Sequence, residues 1–144
     1  MKAFPRIPSA KISALVSDVD GTLLTDDKIL TERTRAAVAE LHSSGILFSI
    51  ISSRPLRGLR MLLVPLGITA PIGSFNCGVL AKSDLSTITA HLLLPEVAQR
   101  ALETLNAHGV ETWLFAGQDW LVHRSDGAYY RVRGAHDRIF ANNC

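Results

Sequence analysis

The chain has 144 residues, of which 47% are hydrophobic and 19% charged, and its formal net charge is +2. That length suits one domain, or one domain with a small appendage, and the composition is globular rather than disordered. The mild basic excess, with a sequence pI near 8.7 and no basic patch interleaved with aromatics, speaks against a nucleic-acid partner.

The segment Met1–Pro8 lacks the apolar core of a signal peptide. No stretch approaches the roughly 20 apolar residues that a membrane span needs, so no membrane partner is expected. The two cysteines, Cys77 and Cys144, show no metal-like spacing. Free thiols and a cytoplasmic location follow as the default expectation.

The short apolar run Ile12–Val16 predicts a buried parallel strand. At its carboxyl end stand Asp18 and Asp20, followed at once by Gly21 and Thr22. Side chains two apart on an extended chain point the same way, so the two carboxylates can converge. In an open parallel sheet that end is where ligands bind, and Gly21 allows a sharp turn that exposes backbone N–H groups. Two such charges about 4 Å apart repel by about 4 kcal/mol at an effective dielectric of 20. A hard divalent cation or a shared proton would offset this. An Asp-Gly turn alone is common in loops; the apolar strand before it and the Gly-Thr-Leu-Leu after it favour a site.

Asp26-Asp27 then marks a polar turn, and Thr31 is placed to cap a helix from Glu32, with Thr34, Ala37, Val38 and Leu41 at helical spacing and Gly45 at its end. Ile46–Ile51 predicts a second buried strand, completing a right-handed βαβ unit. Ser52-Ser53-Arg54-Pro55 closes that strand and opens a helix with the stripe Leu56, Leu59, Leu63 and Leu66, ended near Val64 by Pro65. The Ser52 hydroxyl and the N–H groups entering that helix are good phosphate ligands; the plain alternative is an N-cap. Arg54 could steer an anion, whereas Arg57 and Arg60 read as a solvated face.

Pro71–Phe75 predicts a third strand, leading to Asn76-Cys77-Gly78-Val79-Leu80. Asn76 tolerates a positive φ and bonds its own backbone readily, so its role reads as structural before it reads as a substrate contact. From about Ala81 the character changes. Ser86–Leu93 alternates as a strand, Pro95 starts a helix with the stripe Ala98, Ala101, Leu102 and Leu105, and Gly109 ends it. Val110–Phe115 and Trp120–His123 predict a hairpin across Ala116–Asp119, and Asp126-Gly127 marks another turn. Trp113 and Trp120 read as packing residues. The five histidines, His42, His91, His108, His123 and His136, lack ligand spacing.

Asp18-Val19-Asp20-Gly21-Thr22-Leu23-Leu24 resembles the first motif of the haloacid dehalogenase superfamily of aspartate-nucleophile phosphatases. Ser52-Ser53-Arg54-Pro55 is similar to the Thr-Gly-Arg-Pro of its Cof-like branch, with Ser for Thr and Ser for Gly, and Phe75–Leu80 is similar to the stretch before that branch's cap, with Cys77 where Gly is usual. The resemblance implies an α/β fold: a partial doubly wound, Rossmann-like parallel sheet over residues 1–81, followed over residues 82–144 by part of an α/β cap. It implies a Mg2+-dependent phosphohydrolase of small phosphorylated metabolites, sugar phosphates or phosphorylated cofactors. Asp18 would be the nucleophile, Asp20 the general acid and base, and Mg2+ would sit against Asp18 and the carbonyl of Asp20. Ser52, Ser53, Gly21 and Arg54 would bind phosphate, with Asn76 the lesser substrate contact.

Members of this branch continue to a lysine and an acidic pair. Here no lysine follows Lys82, and Asp119, Asp126 and Asp137 are isolated. The expectation is therefore a truncated member: a fragment, a shortened frame, or a chain completed by another copy through an unpaired sheet edge, giving a homo-oligomer. The alternative is a non-catalytic remnant that binds a phospho-ligand weakly or serves self-association.

Overall fold

The computed structural model describes residues 11–117, 119–122 and 138–139. It divides into two compact units, the first ending at Ala90 and the second beginning at His91.

The first unit is built on a βαβ element. Strand β1 (Ala14–Asp18) runs parallel to β2 (Leu47–Ile51), with Asp18 opposite Ile51. Helix α1 (Glu32–Ser43) joins them, and the Thr31 Oγ1 accepts the Thr34 N–H at 3.2 Å, satisfying one of the donors a helix start leaves open. Gly45, at φ 72°, reverses the chain into β2. Helix α2 (Leu56–Leu63) buries Leu56, Leu59, Leu62 and Leu63, and Leu66 just beyond it is also buried. Pro65 cannot continue that helix, which stops at Leu63.

Strand β3 (Ile72–Ser74) adds parallel to β2. The chain then doubles back: β4 (Val79–Ala81) and β5 (Thr87–Ala90) pair antiparallel, so the sheet order is β1-β2-β3-β4-β5. The sheet is thus α/β and mixed, parallel only through β3. The expected three strands become five, because Val79–Ala81 and Thr87–Ala90, within the strand expected over Ser86–Leu93, fold onto β3 as a meander.

The core lies between Val19 and Ala81, with Phe48, Ile50, Leu59, Leu62 and Ile72 almost wholly enclosed. Strand β1 does not share in it, contrary to the sequence expectation of a buried strand. Leu15 and Val16 are 38% and 62% exposed. The reason is topological: β1 is the edge of the sheet, and no described strand pairs with its outer side.

In the second unit, helix α3 (Pro95–Ala107) has Pro at its first position, where the missing N–H costs no hydrogen bond. Strands β6 (Trp113–Ala116) and β7 (Asp119–Val122) form the expected antiparallel hairpin, and β8 (Arg138–Ile139) pairs parallel to β7. Trp113 and Phe115 share a face with Trp120, at ring-centroid distances of 4.7 Å and 5.9 Å. This agrees with their reading as packing residues. His123, the Asp126-Gly127 turn, His136, Asp137 and Cys144 lie outside the described residues.

Candidate active site

The site lies at the carboxyl end of β1. Asp18 is the last residue of that strand, Val19 is fully buried, and Asp20 follows. The buried Val19 anchors the turn: its carbonyl accepts the N–H groups of Leu23 and Leu24 at 3.1 and 3.0 Å. Gly21 takes φ 79°, a conformation most side chains resist.

The two carboxylates have different surroundings. Asp18 is exposed, and its carboxylate has no hydrogen-bond or ion-pair partner among the described residues. Asp20 is held by two cations. Arg54 donates from Nε to Oδ2 and from Nη2 to Oδ1, both at 2.8 Å, and the Lys28 ammonium stands 2.9 Å from Oδ1. Led by the Arg54 hydrogen bonds, and against the opposing effect of burial, these contacts lower the Asp20 pKa from 3.8 to about 2. The charge of Asp20 is thus met by two side-chain cations, Arg54 and Lys28, a contribution not anticipated from the sequence.

Arg54 reaches Asp20 because the chain leaving β2 is tightly fixed. Ser52 donates its N–H to Gly73 O at 3.0 Å, and its carbonyl accepts from Asn76 N at 2.9 Å. The Ser52 Oγ accepts the Arg54 N–H at 3.1 Å, and the Arg54 carbonyl accepts from Ser74 Oγ at 3.0 Å and Phe75 N at 3.2 Å. Ser52 is accordingly buried, while Ser53 beside it is exposed. Arg57 and Arg60 are exposed on α2.

Asn76 has φ 54°, as its side chain permits, but its neighbours Phe75 and Cys77 share that region at 50° and 68°. Three successive left-handed residues form a tight turn over Gly73. A Cβ on Gly73 would meet the Cys77 Sγ at 2.7 Å and the Ile51 Cγ1 at 3.2 Å, so a larger residue fits only if those side chains shift. Asn76 is exposed and tied by its backbone to Ser52.

Lys28 was missed in the sequence. It lies in the turn after Asp26-Asp27, closed by Lys28 N to Thr25 O at 2.9 Å and Thr25 N to Ile29 O at 3.1 Å. A bridge between Leu24 and Leu30 folds that turn back beside Asp20. The signal was a lysine one residue after a turn that begins beside the acidic motif.

A hard-oxygen donor set suits Mg2+, which commonly takes one or two carboxylates and completes its shell with water and substrate phosphate. Asp18 offers an unpaired, exposed carboxylate, and the Asp20 main-chain carbonyl is the second expected donor, so the residues present fit such an ion. No group of three or more His, Cys, Asp or Glu side chains forms a metal site among the described residues.

The sequence and the fold have known counterparts. Residues 15–143 match the family model of haloacid dehalogenase-like hydrolases, and the chain belongs to that family. It is 35% identical over 98 residues to the 5-amino-6-(5-phospho-D-ribitylamino)uracil phosphatase YitU of Bacillus subtilis, covering 65% of this chain and 36% of that one. It is 28% identical over 111 residues to the HMP-PP phosphatase of Cronobacter sakazakii, covering 77% of this chain and 41% of the other. A haloacid dehalogenase-like hydrolase from Bacteroides thetaiotaomicron has the same fold, with TM-score 0.76 at 22% identity over 93% of this chain and 53% of its own. The chain thus spans well under half the length of these curated relatives.

Proposed function

We propose that this chain provides the nucleophile half of a Mg2+-dependent phosphohydrolase of small phosphorylated metabolites, whether sugar phosphates or phosphorylated cofactors. One observation supports it most: the paired acids are differentiated, with Asp18 unpartnered and exposed while Asp20 is doubly neutralised. A nucleophile needs a free lone pair, which Asp18 has. In this reading the Asp18 carboxylate attacks phosphorus, and Asp20 protonates the leaving oxygen and then activates water. Asp20 as found is ionised, so the hold of its two cations must weaken, by release of at least one of them, before it takes up a proton. Ser52, Ser53 and the main chain at Gly21 would receive phosphate oxygens. Arg54 adds positive potential beside them, and Asn76 is the lesser substrate contact. Mg2+ held by Asp18 and the Asp20 carbonyl would neutralise phosphate charge. The segment from about Lys82 would begin the cap that selects the substrate, and the two relatives named above, both phosphatases by name, support the substrate class. The absence of a helix long and apolar enough to cross a membrane, among the described residues, is compatible with a cytoplasmic setting.

The test is hydrolysis of a panel of phosphomonoesters by the 144-residue chain, with and without Mg2+, beside Asp18→Asn. A loss of at least about a thousandfold in the variant is expected for removal of a covalent nucleophile. Equal rates would refute catalysis by this chain.

A second reading rests on β1. Its exposed Leu15 and Val16, with no described strand on the outer side, favour self-association through the sheet edge, with or without catalysis. Sedimentation of the purified chain checks it, and a monodisperse monomer at high concentration would exclude it.

A further inference from the structure

The two cations on Asp20 are not equivalent. Arg54 is 13% exposed, makes two parallel bonds to the carboxylate and has its backbone fixed at both the N–H and the carbonyl. Lys28 is 55% exposed and makes one contact. Bidentate arginine pairs are directional and strong, whereas a single exposed lysine contact is weak and readily exchanged. An ammonium has three donors, and here one faces Asp20.

The turn that presents Lys28 is strained on its account. Lys28 has φ 62°, in the left-handed region where Gly or Asn would sit more easily. Asp26 and Asp27 are its sequence neighbours, yet its ion pair among the described residues is with Asp20. The local charges also match a ligand. Both cations sit on Asp20 while the Asp18 charge is unpaired, so a phosphate dianion arriving at Asp18 meets a like charge and gains from a cation free to move towards it. We propose that Lys28 is a binding residue for the substrate's phosphate group, moving from Asp20 to the incoming phosphomonoester while Arg54 stays on Asp20. The proposal rests on the phosphohydrolase reading for its ligand class, but phosphate binding does not require turnover.

The experiment titrates inorganic phosphate into the chain, into Lys28→Gln, Lys28→Arg and Lys28→Gly, and into the control Lys82→Gln, following heat or 31P line position. Lys28→Gln is expected to weaken binding about tenfold or more. Lys28→Arg and Lys82→Gln should stay within about twofold of the parent. Lys28→Gly, which suits the turn, should lose the same affinity without a lower melting midpoint. Unchanged affinity in Lys28→Gln, or no phosphate binding by any form, overturns the proposal. Hydrolysis of p-nitrophenyl phosphate by the same samples separates the two readings. Lys28-dependent binding without turnover would sink the enzymatic reading and support this one. Turnover with KM unchanged in Lys28→Gln would do the reverse.

Discussion

Helices α2 and α3 have similar apolar stripes in the sequence and different fates in the structure. All four inward leucines of α2 are buried, two of them completely. No residue of α3 is buried, and Val97 and Leu105 along it remain 44% and 36% exposed. The contrast extends to the two units. Every buried hydrophobic among the described residues lies between Val19 and Ala81, while Leu92, Leu93, Leu94 and Val110 of the second unit stand exposed. An amphipathic pattern therefore specifies which side of a helix wants cover, but not whether cover exists. In the first unit a five-stranded sheet supplies it; in the second, the described order rests on an aromatic hairpin.

The sharpest way to break that comparison is a matched truncation. Leu59→Ala should cost about 2–5 kcal/mol, because the side chain is fully enclosed and leaves a cavity. Leu105→Ala should cost less than about 1 kcal/mol, because water already reaches it. Urea unfolding of each, with the slope compared as well as the midpoint, measures both. An equal cost would mean that α3 is covered as well as α2 is.

The same contrast explains what was legible in the sequence. Thr31 as a cap, Leu56, Leu59 and Leu63 of α2 and the β6–β7 hairpin follow from local spacing and turn chemistry, whereas Leu62, fully buried beside them, lies outside the stripe read from the sequence. The acidic motif was legible because strand, Gly and Thr stand in immediate succession. The exposure of β1 was not legible, because an apolar run reads the same at an edge as in the middle of a sheet. The β4–β5 meander was hidden by strands of only three and four residues. The Lys28–Asp20 contact was hidden because it depends on a folded-back turn rather than on spacing along one element. Phe75 and Cys77 in the left-handed region carry no sequence signal at all; only Asn76 between them does.

A second, smaller effect separates the site from the core beneath it. Asp20 has its pKa lowered from 3.8 to about 2, so its pairing stabilises the fold fully above the unfolded value near 3.8. That contribution is lost as the pH falls through about 2. With Asp20 31% exposed, solvent screening leaves on the order of 1–2 kcal/mol of it. Arg54→Ala should remove most of this contribution at pH 7 and flatten the acid limb of a stability profile between about pH 4 and pH 2. Leu59→Ala should lower the whole profile and keep its shape. A parent profile as flat as that of Arg54→Ala would show that Asp20 is not paired in solution.

The smallest effect tests whether the site's turn is held at the expense of the core that supports it. Phe75, Asn76 and Cys77 follow one another at positive φ, and for a residue such as Cys the left-handed region costs about 1–2 kcal/mol. Glycine there removes that strain but gains roughly 0.5–1 kcal/mol of unfolded-state entropy. Cys77→Gly should therefore stabilise the chain by about 0.5–1 kcal/mol, less whatever its sulfur contributes by packing over Gly73. Gly73→Ala separates the two contributions, because its Cβ would lie 2.7 Å from the Cys77 Sγ and 3.2 Å from Ile51. If the sulfur is the main obstacle, Gly73→Ala is strongly destabilising alone and much less so combined with Cys77→Gly, and the coupling in that double-mutant cycle is large. If Ile51 sets the limit, the two changes add. Additivity together with a stabilising Cys77→Gly would locate the strain in the backbone turn itself, whose main chain also holds Ser52 and Arg54 in place.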